Sequence, residues 1–277
     1  MTSPATAHIQ PLSHRLAKRL GGLPRVLRRK PLFTLCRHLR YRGIAPTQPS
    51  AENREALAAL ERDGFVLLEG LFDKAQIEAM AQSIEGDLEA VRAGTYEGPG
   101  RYHAFSDYGV YKLLDVDKLA PVTAPFYENE RIADLARAFV HGKARSYQKM
   151  AELRADVGVV NTADIPHFDD WKHRFKAFLY LNDVGEENAP FVYYKGTHRQ
   201  GPWRLQREYE MFRDGPNGTF GHYFPHEMDA ITKAHGIERV VCAAPAGTVV
   251  ITDTRGIHSG SVLRSGRRLL LANFFTF

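Results

Sequence analysis

From Ala144 onward the sequence is a succession of short apolar runs separated by turn residues. This rhythm limits the possible folds more than any other feature of the chain. The runs cover residues 145–153, 157–160, 175–181, 191–194, 239–242, 248–252 and 268–275. Segments this short, bounded by Gly, Pro, Asn and Asp, predict strands of a sandwich or barrel rather than helices. The first half reads differently. Residues 52–62 predict a helix that runs into Asp63-Gly64 and a strand over residues 65–68. Asp73 then stands as an N-cap with Gln76 three residues on, a capping-box spacing. Ile77, Ile84, Leu88 and Val91 mark one face of the helix that follows, and Gly94 stops it. A further helix is expected over residues 129–140, ended by Gly142. Helices first and strands second predict an α+β chain with a mainly β core. Two short-stranded sheets closed as a jelly roll (a double-stranded β-helix, cupin-like), with helices packed on one face, are the expected form.

Domain organisation follows from charge. Residues 1–51 hold ten Lys or Arg and no Asp or Glu, leaving 27 basic against 32 acidic side chains in residues 52–277. The net charge of +5 therefore belongs to the N-terminal arm, and the body is acidic. Within the arm, Leu12, Leu16 and Leu20, then Leu32, Leu35 and Leu39, recur at helical spacing between cations, while Gly21, Gly22, Pro24 and Pro31 break it into pieces. Residues 12–42 could thus lie as amphipathic helices on an anionic membrane surface. Packing of the leucines on the body and organelle targeting are the competing readings. The arm lacks the aromatic interleaving of a nucleic-acid binder, so no nucleic-acid partner is expected.

Residues 52–277 are expected to form one domain, interrupted at 201–237 by a polar, Gly-Pro-containing insertion that reads as a lid over a binding site. Residues 95–111, rich in Gly and aromatics without period, are expected to be a loop near that site. No apolar run approaches eighteen residues and the first thirty contain no continuous apolar core, so neither a membrane span nor a secretory signal is expected. Two cysteines, Cys36 and Cys242, without zinc spacing, fit a reducing compartment, and the cytoplasm is the expected location.

Two stretches carry chemistry. In His167-Phe168-Asp169 the first and third residues point to one side of an extended chain, so both can reach one ion while Phe168 faces away. Residues 247–258 read as a turn, a buried strand and then His258 just past its end, followed by a return strand that opens with Arg267-Arg268. Two imidazoles and one carboxylate are the donor set of the facial triad that holds non-haem iron. A zinc or manganese hydrolase could use the same three ligands, but would leave the arginine without a task.

The combination of DGFVLLEGLF, HFD, FLYLNDVGEENAPFVYYKGTH and AGTVVITDTRGIHSG ending in GRRLLLANF resembles the phytanoyl-CoA dioxygenase family over roughly residues 55–277. The resemblance implies an Fe(II)- and 2-oxoglutarate-dependent dioxygenase that uses O2, hydroxylates a C–H bond of its substrate, and releases succinate and CO2. It implies His167, Asp169 and His258 as iron ligands and catalytic residues. Arg268 would be the partner of the far carboxylate of 2-oxoglutarate, with Arg267 the alternative if the register slips by one. Asp169 stands where related halogenases carry a small residue, so hydroxylation or a desaturation-type outcome is favoured. Lys112 matches a family lysine loosely. Lys176 shares a strand face with Phe178 and Tyr180, and if that face is interior it needs an acidic partner, cosubstrate or substrate. Lys112 and Lys176 are therefore further cosubstrate-binding candidates. His198 is expected to be structural. The substrate is expected to be a small or lipid-linked molecule, with an anionic one suited to the cations. The alternative is a jelly-roll binding module that keeps the metal site without turnover.

Overall fold

The computed structural model describes residues 47–140, 142, 144–169, 174–199, 201–207 and 221–276. Helix α1 (Arg54–Asp63) buries Ala56 and Leu60 and ends at Gly64 in the left-handed conformation, where the Gly64 N–H donates to Leu60 O. Strand β1 (Phe65–Leu68) follows. In α2 (Lys74–Ala93) both capping-box bonds form: Asp73 Oδ1 accepts from Gln76 N at 2.8 Å, and Asp73 N donates to Gln76 Oε1 at 2.9 Å. Its buried stripe is Ile77, Met80, Ile84, Leu88 and Val91, and Gly94 caps it. After β2 (Tyr102–Phe105) and β3 (Val110–Leu114) come two single-turn helices, α3 (Val116–Leu119) and α4 (Ala124–Tyr127), and then α5 (Glu130–Val140). The rest is mainly strand: β4 (Arg145–Arg154), β5 (Phe175–Tyr180), β6 (Phe191–Tyr194), β7 (Arg239–Cys242), β8 (Val249–Asp253), β9 (His258–Ser259) and β10 (Arg268–Thr276), with α6 (Pro225–His235) before β7.

The strands form a seven-stranded sheet in the order β1-β8-β5-β10-β4-β3-β2 and a three-stranded sheet in the order β7-β6-β9. Every named pairing is antiparallel. Period-two alternation assigns the faces of the large sheet. Tyr111, Leu113, Ala151, Leu153, Ala177, Leu179, Ile251 and Leu271 face the stripes of α1, α2 and α5, forming the main core. Met150, Tyr180, Val250 and Leu270 face the other way and meet Phe191, Tyr193 and Cys242 of the small sheet. A third cluster covers the outer side of the small sheet: Val192 and Tyr194 pack with Phe168, Tyr223, Ile257 and Met228 of α6. The architecture is a jelly roll with its main helical layer against the large sheet and α6 on the opposite side.

Two expectations do not hold. Residues 95–111 are not all loop, because they contain β2 and the start of β3. β2 is an edge strand whose residues are all exposed, so no alternation marks it. The apolar run at 157–160 is not a strand. Gly158 sits at φ 80° in a turn, and Val157 and Val160 are 56% and 58% exposed. The expected amphipathic helices of the arm lie outside the described residues. Among the described residues no helix is long and apolar enough to cross a membrane.

Candidate metal centre

The HFD stretch is extended but belongs to neither sheet by itself. Instead His167 N donates to His258 O and His258 N to His167 O, both at 2.8 Å, so the two imidazoles start from directly opposed backbone positions. On the other flank Phe168 N donates to Gly221 O at 2.9 Å and Tyr223 N to Pro166 O at 2.7 Å, which places His222 opposite His167. The small sheet is thereby continued past β9 by residues 166–168 and then by 221–223. Gly221 is at φ 89°, and a Cβ there would stand 2.6 Å from Phe168 O, so glycine is required both by conformation and by space. Phe168 turns away from the cavity and is buried, with the Arg204 guanidinium over its ring at 4.4 Å.

The side chains converge on one point. His167 Nε2 and His258 Nε2 each lie 3.8 Å from Asp169 Oδ1, and the three candidate ligand atoms are within 4.8 Å of one another. His167 Nδ1 bonds Ile165 O at 2.8 Å and His258 Nδ1 bonds Gly256 O at 2.9 Å. A carbonyl oxygen can only accept, so both Nδ1 atoms carry the proton and both Nε2 lone pairs face the carboxylate. Burial lowers the pKa of His258 to about 3 and lowers that of His167 as well, keeping both rings neutral. Burial alone would raise the Asp169 carboxyl, but the Lys176 ammonium beside it holds it well below the usual carboxylate range. Two neutral imidazoles and one carboxylate, deprotonated at the facing atoms, form a donor set for a first-row divalent ion. His222 comes near, its ring 5.3 Å from that of His167, yet lies outside this set.

The three face a cavity of about 520 Å³ between the sheets. Arg268 lines it, whereas Arg267 points out of the barrel to a surface pair with Glu85, so strand parity separates the two candidates. Arg268 Nη2 donates to Glu152 Oε1 at 2.5 Å and Nη1 to Ala189 O; its Nε–H is buried without an acceptor. Lys112 Nζ is 3.0 Å from Glu152 Oε2. Burial would raise Glu152, but Lys112 and Arg268 hold it at about 2. Two cations thus share one anion here, and the unpaired donor with the spare positive charge suits a further carboxylate. Lys176 also lines the cavity, and its acidic partner is Asp169, 2.6 Å away. His198 lies apart from this lining; its Nε2 bonds Glu61 O at 2.9 Å.

Sequence reasoning missed Glu152 and Arg154. Both line the cavity on the polar face of β4, and Arg154 pairs with Asp164 through two bonds of 2.7 and 2.5 Å. The signal was the alternation of Gln148, Met150, Glu152 and Arg154 against Ala151 and Leu153. Polar residues on one face of an interior strand imply a lined cavity.

A sequence model of the phytanoyl-CoA dioxygenase (PhyH) family matches residues 60–268. Ectoine dioxygenases of Bordetella parapertussis and Bordetella bronchiseptica are each 24% identical over 230 residues, covering 76% of this chain and 70% of theirs. Among solved structures, the epimerase SnoN in complex with Fe3+, alpha ketoglutarate and nogalamycin RO aligns with a TM-score of 0.58 at 20% identity, over 82% of this chain and 84% of that one. EctD from S. alaskensis with 2-oxoglutarate and 5-hydroxyectoine aligns with a TM-score of 0.59 at 16% identity, over 84% and 79%. At these identities the two structures establish the shared fold.

Proposed function

The chain belongs to the phytanoyl-CoA dioxygenase family, and on that premise we propose that it is an Fe(II)- and 2-oxoglutarate-dependent dioxygenase that hydroxylates a C–H bond of a small molecule. Its membership of the Fe(II)/2-oxoglutarate oxygenases rests on the family; the residue roles and the outcome are our reading. His167, Asp169 and His258 would hold the iron. Bound there, Fe(II) supplies the activation of O2 by which 2-oxoglutarate becomes succinate and CO2 while one oxygen atom enters the substrate.

The chain's own groups do the rest. The main-chain carbonyls of Ile165 and Gly256 hold both imidazoles in the tautomer that offers Nε2. Arg268, with Lys112 behind Glu152, receives the far carboxylate of the cosubstrate, a guanidinium being suited to a planar anion because it stays charged when buried. Phe178, Phe191 and Phe274 line the cavity with apolar surface and restrict water near the reacting atoms.

The substrate class follows from the same lining. Arg154 is paired with Asp164, and Lys112, Lys176 and Arg268 exceed Glu152 and Asp169 by one, so the cavity disfavours a cationic molecule. Relatives named ectoine dioxygenase and a solved neighbour holding 5-hydroxyectoine support a small organic molecule as the substrate. Peripheral membrane contact through residues 12–42 is a separate proposal from charge and leucine spacing; equal liposome pelleting of the full chain and of a chain starting at Pro46 would end it.

One observation carries the reading: two neutral imidazoles present bare Nε2 atoms to one oxygen of one carboxylate. The test is O2-dependent succinate release from 2-oxoglutarate by the Fe(II)-loaded protein. The wild type should turn over and His167→Ala and Asp169→Ala should not. Turnover in those variants would overturn the ligand assignment, and metal binding without any turnover of 2-oxoglutarate would favour a binding module.

A further inference from the structure

The two oxygens of Asp169 are treated differently. Oδ1 faces both imidazole Nε2 atoms at 3.8 Å, while Oδ2 accepts from Lys176 Nζ at 2.6 Å. The lysine is itself fixed. It projects from β5 into the cavity, its ammonium lies 4.3 Å from the centroid of the Phe274 ring, and Phe274 is its register partner on β10. Only 15% of its side chain is exposed. A cation held over an aromatic face and bonded to a carboxylate is a positioned group, not a mobile surface lysine.

We propose that Lys176 is a positioning residue that keeps Asp169 a one-oxygen ligand, and so preserves the open coordination positions that the cosubstrate needs. This rests on the oxygenase reading above. Facial binding by three atoms leaves open positions on the opposite side of the ion. A carboxylate is able to bind through both oxygens, and doing so would consume one of them. With Oδ2 engaged by an ammonium, only Oδ1 remains to face the metal. The same ammonium is a positive charge next to the ion, so it opposes metal binding while it protects the vacant positions. That opposition gives the proposal a signature that a packing role lacks: removing the lysine should move metal affinity and cosubstrate affinity in different directions. Neither Lys112 nor Arg268 shares this position, since both are committed to Glu152 at the other end of the cavity.

The experiment compares the full-length wild type with Lys176→Met and Lys176→Arg. Co(II) is titrated by calorimetry into each metal-free protein, 2-oxoglutarate is then titrated into each Co(II)-loaded protein, and the visible spectrum of bound Co(II) reports the number of ligands. Lys176→Met should bind Co(II) as well as or better than the wild type. Its affinity for 2-oxoglutarate should fall about tenfold or more, within the usual range of coupling between two interacting sites. Its Co(II) spectrum should differ before cosubstrate is added, and Lys176→Arg should recover part of each change. A parallel fall in both affinities with a lower Tm would overturn the proposal in favour of a structural role, and unchanged cosubstrate affinity would overturn it outright. If wild-type protein binds Co(II) but no 2-oxoglutarate, the oxygenase reading fails. The Co(II) spectrum then decides alone, and an unaltered spectrum in Lys176→Met overturns the positioning role.

Discussion

The two ends of the cavity are held by different forces. At the candidate metal end, bonds to the main chain fix the two imidazoles: the reciprocal His167–His258 pair and the two Nδ1–carbonyl bonds need no charge to persist, and only the Asp169 carboxylate is held by an ion pair, to Lys176. At the far end, the order comes from side-chain ion pairs, with Glu152 between Lys112 and Arg268. Backbone-anchored groups keep their place when charge is altered, whereas a counter-ion cluster reorganises when any member is lost. The two imidazoles are therefore pre-set by topology and the far end by charge balance.

The largest effect that could break this comparison is at the ligands. Asp169→Ala and His258→Ala should abolish 2-oxoglutarate turnover and high-affinity Co(II) binding by calorimetry, yet leave the circular dichroism spectrum unchanged, because the backbone pairing survives. Loss of the fold would show that the side chains, not the main chain, hold this end.

Next comes Arg268→Met, which leaves buried Glu152 with Lys112 alone. Because Lys112 still balances Glu152, the cost should stay below the about 3–5 kcal/mol of an uncompensated buried charge. We expect a clearly lower Tm together with weakened 2-oxoglutarate binding and little change in Co(II) affinity. A matching loss of Co(II) affinity would mean that the two ends are not independent.

Acid should then separate them by pH. The folded imidazoles have lowered pKa values, so the unfolded chain binds protons that the folded chain refuses; this stability is full above about pH 6.5 and is lost as pH falls below it, for His258 down to about 3. Glu152 is also depressed, to about 2, so its contribution is present above the ordinary carboxylate range and is lost as pH falls through that range to about 2. Chemical denaturation of metal-free protein across pH should show the imidazole step first, and His258→Asn should remove much of it. The smallest effect expected is that of Arg267→Ala, an exposed pair with Glu85, where Tm should reflect at most about 1 kcal/mol. A large loss of cosubstrate binding there would reverse the assignment of strand parity.

The same contrast explains what could be read from the sequence. His167 and Asp169 follow from spacing within one extended segment, and His258 from its place just past a buried strand, so the topologically set end was legible. Glu152 was not, because its role depends on β4 lying between β3 and β10. The register that brings Lys112 and Leu270 opposite it is a relation among three distant segments. Lys176 was legible only as a cation that would need an acidic partner if its strand face were interior, and not as the partner of Asp169. β2 went unread because an exposed edge strand has no alternation, and residues 157–160 misled because apolar content without burial imitates a strand.

The exit of the insertion has a consequence for engineering. Residues 221–223 are laced to Pro166 and Phe168 by main-chain bonds, and Gly221 meets Phe168 O with no room for a side chain. That junction is a natural splice boundary. Segments of foreign length or composition exchanged upstream of Gly221 would meet the scaffold at a fixed backbone junction, so the exchange should leave the alignment of His167 undisturbed.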